Sequence, residues 1–258
     1  EKENVLSRNR SVLENNANVD IELWNKIVEL GWTGIRIPEE YGGLGLGHLE
    51  LCVIAEELGR FLAPVPFSSS VYLFTEAIIN YANDDIKKEI LPKLVSGEVI
   101  GTLAVAEDLQ APTADNISLQ SDNNILNGKK IAVPDAEIAT HAIVVAKTSS
   151  GISLQLVDLN ADGVKIEKQE NIDESRGYFS ILFENSPSKL IGDETGGWDL
   201  YEALMNQAAV LFGYEQIGGS QAALDMAINY SKERYAFGRQ IGSFQAIKHK
   251  LADMYIAL

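Results

Sequence analysis

The sequence predicts an α+β chain of several domains. A helical domain (residues 1–100) is followed by a central antiparallel, barrel-like β domain (101–192), then by the opening, incomplete part of a helical bundle (193–258). Three observations predict it. Apolar residues recur at helical spacing as far as Gly97, at a spacing of two from Gly101 to about Ile191, and at helical spacing again from Gly197. The short segments of the middle region are bounded by Gly, Asn, Asp or Ser. At 258 residues the chain is long enough for two or three units that each bury a core without disulfides.

In the first region Ile21, Trp24, Ile27, Val28 and Leu30 form one stripe, and Leu49, Leu51, Ile54, Ala55 and Leu58 form a second. Gly31 and Gly59 follow them as stops, and Pro64 and Pro66 prevent continuation. Two more helices are expected, Val71–Tyr81 and Asp84–Val95, the latter capped by Asp84 or Asp85 and ended by Ser96-Gly97. In the second region Ile138–Ala146, Ser153–Val157 and Tyr178–Phe183 are short, rich in β-branched residues and bounded by turn formers. No helical run separates them, so an antiparallel sheet or small barrel is expected rather than βαβ units. In the third, Leu204, Ala208, Leu211, Gly218, Ala222 and Met226 share one side of a long helix, while Val210, Phe212, Ile217 and Ala223 cover others. A helix apolar nearly all round is expected to be buried. A last helix carries Phe244, Ile247, Leu251, Met254 and Leu258.

Composition narrows the function classes. The net charge of −16 repels nucleic acid and anionic membranes, leaving one short basic stretch at Arg234, Arg239, Lys248 and Lys250. No segment approaches the roughly 20 apolar residues of a membrane span, and the polar start Glu1-Lys2-Glu3-Asn4 does not read as a signal peptide. A cytoplasmic protein without membrane insertion is therefore expected. The lone Cys52, among apolar residues, reads as a small buried hydrophobe. No strand–GxGxxG–helix unit is present, and Tyr41-Gly42-Gly43-Leu44-Gly45-Leu46-Gly47 joins two helices without the Lys-Ser/Thr of a phosphate loop, so it reads as a structural turn. No metal is expected.

Several motifs point to one family. Leu30-Gly31-Trp32, Pro38-Glu39-Glu40-Tyr41-Gly42-Gly43-Leu44-Gly45 and Glu56-Glu57-Leu58-Gly59 occupy the first region. The longest run is Glu233-Arg234-Tyr235-Ala236-Phe237-Gly238-Arg239-Gln240-Ile241-Gly242, with Phe244-Gln245-Ala246-Ile247 and Lys250-Leu251-Ala252-Asp253-Met254 behind it. In motif and in domain order the chain resembles the flavin-dependent acyl-CoA dehydrogenases. That resemblance implies α,β-dehydrogenation of an acyl-CoA with FAD as hydride acceptor, an electron-transferring flavoprotein as partner, and a homo- or hetero-oligomer, dimer or tetramer. It places Arg234, Phe237 and Gln245 on the adenosine-diphosphate part of FAD held mainly by a neighbouring subunit. Guanidinium chemistry suits pyrophosphate.

Two flavin-ring motifs of the family are altered. The resemblance sets Val105 and Ala106 at the cofactor, but where the family has Thr-Glu-Pro the chain reads Ala106-Glu107-Asp108, without the hydroxyl. After Gly128-Lys129-Lys130 it reads Ile131-Ala132-Val133-Pro134-Asp135 in place of Trp-Ile-Thr-Asn, and Pro134 lacks both a hydroxyl and an N–H. A cofactor-sharing, non-catalytic subunit of a heteromeric member is the alternative these changes suggest. The usual catalytic glutamate of the family falls past Leu258, and the position used by other members is Ala208. Glu215, two turns along the same helix face, is the candidate base.

Overall fold

The computed structural model describes residues 5–258 apart from Asn16 and Glu174; the polar start at Glu1–Asn4 lies outside the described residues. Helices α1 (Val5–Glu14), α2 (Ile21–Glu29) and α3 (His48–Arg60) lead to a π-helix at Ser68–Thr75, which runs directly into α4 (Glu76–Tyr81) and is followed by α5 (Asp84–Ser96). The strands are β1 (Gly101–Ala104), β2 (Gln120–Asp122), β3 (Ile125–Pro134), β4 (His141–Lys147), β5 (Ile152–Asp158), β6 (Val164–Gln169), β7 (Tyr178–Pro187) and β8 (Lys189–Ile191). The chain closes with α6 (Gly197–Glu233), a hairpin of β9 (Tyr235–Ala236) and β10 (Arg239–Gln240), and α7 (Gln245–Ala257).

Local chemistry sets most of these boundaries. Asp20 caps α2 by accepting from the Leu23 N–H, and the left-handed Gly31 follows its end. Asn83, not Asp84 or Asp85, caps α5, because its side chain reaches the Ile86 N–H at 2.9 Å. The helix expected over Val71–Tyr81 begins earlier and is wider: Ser68 to Thr75 winds as a fully buried π-helix. Thr75 Oγ1 donates to the Ser70 carbonyl, 2.8 Å away.

The eight strands form one sheet in the order β6-β7-β3-β2-β4-β5-β8, with β1 beside β4. It is mainly antiparallel, but β1–β4 and β2–β4 pair in parallel, and the strand path stays open at β6 and β8. The expected barrel is thus an open sheet. Its centre is buried on both faces, which is why β4 reads as a continuous apolar run. Ile143 and Val145 join the core shared with α2–α6, whereas Ala142, Val144 and Ala146 meet Phe179, Ile181 and Phe183 on the other face.

Helix α3 lies along α6 at backbone contact. A Cβ on Gly59 would fall 2.0 Å from the Glu215 carbonyl oxygen, and one on Gly218 would fall 1.9 Å from that of Glu56. Only one side of α6 is covered, at Leu204, Ala208, Leu211, Gly218 and Leu224. Val210 is 56% and Met226 62% exposed, so the helix expected to be buried all round is half open in this chain. Among the described residues no helix is long and apolar enough to cross a membrane.

Candidate functional site

A pocket of about 730 Å³ opens between α1, the end of α3, the start of the π-helix and the middle of α6. Most of its wall is apolar, including Val12, Leu58, Leu62, Phe67 and Phe212. Its polar side is built by residues remote in sequence: Ser68, Arg176 and Glu215. Arg176 donates through Nη2 to Asp135 at 2.7 Å and through Nη1 to Ser68 at 2.8 Å. Asp135, buried, also accepts from Ser69 Oγ at 2.5 Å. Asp135 directly follows the altered Ala132-Val133-Pro134 segment, so this network ties the second ring motif to the pocket.

Glu215 continues the buried line of Leu204, Ala208 and Leu211 on α6, as a spacing of 4, 3 and 4 residues requires. Burial pushes its carboxyl above the usual carboxylate range, against the opposing pull of Tyr72 and the Arg176 guanidinium. Tyr72, on the π-helix, is stacked edge-on between Phe67 and Phe212, and its phenol is raised far above its ordinary value, first by burial and then by Glu215. Glu215 lies close enough to couple with that hydroxyl, yet the geometry falls short of a hydrogen bond, so the Tyr72 Oη counts as buried and unsatisfied.

The flavin-ring motifs meet at an ion pair. Lys130, fully buried, donates to Glu107 at 2.7 Å and to the Val105 carbonyl at 2.8 Å. Burial lowers Lys130 to about 8, opposed by Glu107. For Glu107 itself burial acts upward, but bonds from Lys130, Ser118 and the Leu119 N–H outweigh it and leave the carboxyl lowered. The pair fixes the loop after β1 onto β3. The donors the family would turn to a flavin ring are absent or engaged. Ala106 and Pro134 carry no hydroxyl, the Ile131 N–H donates to the Ala106 carbonyl at 2.8 Å, and the N–H of Ala132 (φ 51°) donates to Gln169 Oε1 at 2.7 Å. At these positions the chain offers no hydroxyl to an isoalloxazine.

Arg234, Phe237 and Gln245 lie elsewhere, at the junction of α6, the hairpin and α7. The turn Phe237-Gly238 has positive φ at both residues, 52° and 79°, which leaves the Phe237 ring 96% exposed. A left-handed phenylalanine is a strained choice in an exposed turn unless the ring has something to cover. Arg234 and Gln245 are also exposed, and Arg234 makes no ion pair among the described residues. Arg239 lies 4.1 Å over the Phe244 ring and braces the hairpin. No hydrogen bond among the described residues joins this group to Val105 or Ala106.

The two ends of the chain match known domains. Residues 2–98 match the family model of the acyl-CoA dehydrogenase N-terminal domain, and residues 195–258 that of the acyl-CoA dehydrogenase C-terminal domain. The chain belongs to the acyl-CoA dehydrogenase family. It is 32% identical over 255 residues to the mitochondrial 2-methylacyl-CoA dehydrogenase of Solanum tuberosum, covering 93% of this chain and 62% of that protein. The chain thus spans less than two thirds of that relative's length. Butyryl-CoA dehydrogenase from Megasphaera elsdenii superposes with a TM-score of 0.86 at 25% identity, over 93% of this chain and 68% of the other. The ChsE4-ChsE5 complex from Mycobacterium tuberculosis gives a TM-score of 0.81 at 27% identity, over 92% and 65%.

Sequence reasoning missed Arg176, Asp135 and Tyr72. Arg176 sits in an irregular stretch between β6 and β7 with no period to mark it, and Tyr72 falls in a segment whose spacing predicts an ordinary helix. The one available signal was the run Ser68-Ser69-Ser70 ahead of an apolar helix, since buried hydroxyls require partners.

Proposed function

We propose that this chain is a subunit of an FAD-dependent acyl-CoA dehydrogenase, oxidising an acyl-CoA thioester to the 2-enoyl-CoA and passing electrons to an electron-transferring flavoprotein. The observation that carries this reading is the outward presentation of Arg234, Phe237 and Gln245 within the stretch that matches the family's C-terminal domain. When bound, FAD supplies the hydride acceptor. The chain's own share is recognition: Arg234 to hold pyrophosphate, Phe237 to cover the adenosine half, and Gln245 to pair with its polar groups, in a homo- or hetero-oligomer. The names of the relatives, which act on 2-methylacyl-CoA and butyryl-CoA, support an acyl-CoA substrate.

Two tasks fit Glu215. Its raised proton affinity and apolar surroundings suit removal of the substrate α-proton, while its distance from Ala208, about 10 Å along the helix at 1.5 Å per residue, suits contact with the far end of the acyl group. Glu215→Gln in the full assembly separates them. As base, its loss should lower turnover by about 10² or more with flavin content unchanged.

A second reading is favoured by the engaged Ala132 N–H and the missing hydroxyls at Ala106 and Pro134: a subunit that shares its partner's FAD instead of holding the ring itself. Counting flavin per chain in the purified full-length protein, alone and with a homologous partner subunit, decides between them. One flavin per chain in the protein alone supports the first reading and excludes the second. Flavin only in the mixed assembly supports the second.

A further inference from the structure

A second polar cluster lies away from the pocket, where α3, α4 and α6 meet. At its centre is Glu76, the first residue of α4 and fully buried. Its Oε1 accepts from Arg36 Nε at 2.8 Å, and its Oε2 accepts from Gln207 Nε2 on α6 at 2.6 Å and from Asn80 Nδ2 at 3.5 Å. The same Gln207 nitrogen is 2.6 Å from Nε2 of His48, the first residue of α3. That imidazole nitrogen lies 3.4 Å from a Glu76 carboxylate oxygen. Arg36 also donates through Nη1 to the Leu46 carbonyl at 2.9 Å, so the cluster gathers the glycine-rich turn as well as α3, α4 and α6.

Donors and acceptors here fit together in one way. Glu76, paired with a guanidinium, offers only acceptors, so the Gln207 amide presents its NH2 and not its oxygen. An amide NH2 cannot accept, and its contact with His48 is a hydrogen bond only if the imidazole Nε2 accepts. His48 is then neutral with its proton on Nδ1, the tautomer that free imidazole populates less. A proton on Nε2 would set two donors against each other at 2.6 Å. The amide contact must break, and the imidazolium turns to Glu76, the one charged group within ion-pair distance of it among the described residues. The other charges of the cluster are Arg36, on the far oxygen of Glu76, and Glu50 of α3, which is turned back to the Gly47 N–H at 2.8 Å. Helix α6 brings only the neutral amide. The His48 side chain is 42% exposed, so protons reach it from solvent while the carboxylate stays sealed.

We propose that His48, Gln207 and Glu76 form a proton-operated latch between the start of α3 and α6. With His48 neutral, one amide ties both α3 and α4 to α6. With His48 protonated, the imidazole passes to Glu76 and α6 loses this tie to α3. The tie lies on the helix that also carries Phe212 and Glu215 into the pocket wall. It does not depend on the flavin or on the acyl-CoA reading.

Nitrogen NMR of the chain with isotope-labelled histidine reads the tautomer directly. At pH above its titration, His48 should show a bare Nε2 and a protonated Nδ1. Gln207→Leu should invert that assignment, because Nε2 then faces only the Glu76 carboxylate and must donate to it. The wild-type tautomer needs no variant, so it decides the matter even where the substitution disturbs folding. As His48 takes up its proton, the side-chain NH2 resonances of Gln207 should move with the same midpoint. The Leu51 amide bonds to the Gly47 carbonyl at 3.5 Å in the first turn of α3. Its protection from hydrogen exchange, corrected for intrinsic rate, should fall about 2- to 12-fold over the same titration, the equivalent of one net hydrogen bond of about 0.5–1.5 kcal/mol. In Gln207→Leu that protection should not respond to the titration. A wild-type His48 that is neutral with its proton on Nε2, or Leu51 protection indifferent to the charge on His48, would overturn the proposal.

Discussion

The two ends of α6 behave as different proteins. Up to Leu211 the inward side of the helix closes against α2–α5 and the sheet, with Leu204 and Ala208 fully buried. Beyond Gly218 the same helix, the hairpin and α7 carry Met226, Tyr230, Tyr235, Phe237, Tyr255 and Ile256 at the surface, and α7 has no buried residue. One part is stabilised by its own contacts. The other is held in shape by caps, a tight turn and the Arg239–Phe244 contact, while its apolar and cationic groups point outward. Stability and function should therefore separate along this helix: changes at its first half should unfold the chain, and changes at its second half should leave the fold intact and damage what it meets.

The largest effect is expected where α3 and α6 touch backbone to backbone. Gly59→Ala puts a methyl 2.0 Å from the Glu215 carbonyl oxygen, and no rotamer can move a backbone. A loss of about 3 kcal/mol in chemical unfolding is expected, at the upper end of overpacking costs. A loss under about 1 kcal/mol would show that the helices separate easily and would remove the contrast.

Next is Arg176→Met, which strands Asp135 in the core. Breaking a fully buried pair costs about 3–5 kcal/mol, and because the Arg176 side chain is 29% exposed we expect about 2 kcal/mol. Restoring stability by pairing the change with Asp135→Asn would confirm that the uncompensated charge, not lost packing, is responsible.

Glu215→Gln should act in the opposite direction. The folded chain holds this proton more tightly than the unfolded chain, whose carboxyl titrates near 4.5, so wild-type stability falls as pH rises from there through the raised folded value and is lowest above it. The amide removes that penalty. Melting curves at neutral pH should show the variant equal to or more stable than wild type, with a flatter profile on the acid side; a markedly less stable variant would reveal a structural ion pair. The smallest effect is expected at Met226→Ser, within about 0.5 kcal/mol by unfolding, since that side chain is 62% exposed.

Much of this division was legible in the residues. The stripes ending at Gly31 and Gly59 gave α2 and α3, the period of two gave the sheet, and the Glu233–Gly242 run gave the family and the residues proposed to meet FAD. The π-helix was not legible, because its sequence, Ser-Ser-Ser followed by Val-Tyr-Leu-Phe, has the composition of any buried helix and its widening depends on what packs around it. Nor was the openness of the sheet: pairing of β1 and β2 with β4 joins segments far apart in sequence, which alternation alone cannot order. The apolar girdle of α6 was visible, but its reading as self-burial failed at Val210, Ile217 and Met226, because an apolar face records contact without recording whose. The pocket's polar network escaped for a similar reason, since Arg176, Asp135 and Ser68 are brought together only by the tertiary fold.

The most direct test of the division between a self-stabilised body and a recognition surface is Arg234→Ala, measured twice. In the isolated chain, melting temperature should be unchanged, because Arg234 is exposed and makes no ion pair among the described residues. In the full-length assembly, FAD retention should fall by roughly 10- to 150-fold, the equivalent of losing about 1.5–3 kcal/mol of charge-assisted hydrogen bonding, with Arg234→Lys recovering only part. Wild-type flavin affinity in the alanine variant, or a clear loss of stability in the isolated chain, would contradict the account.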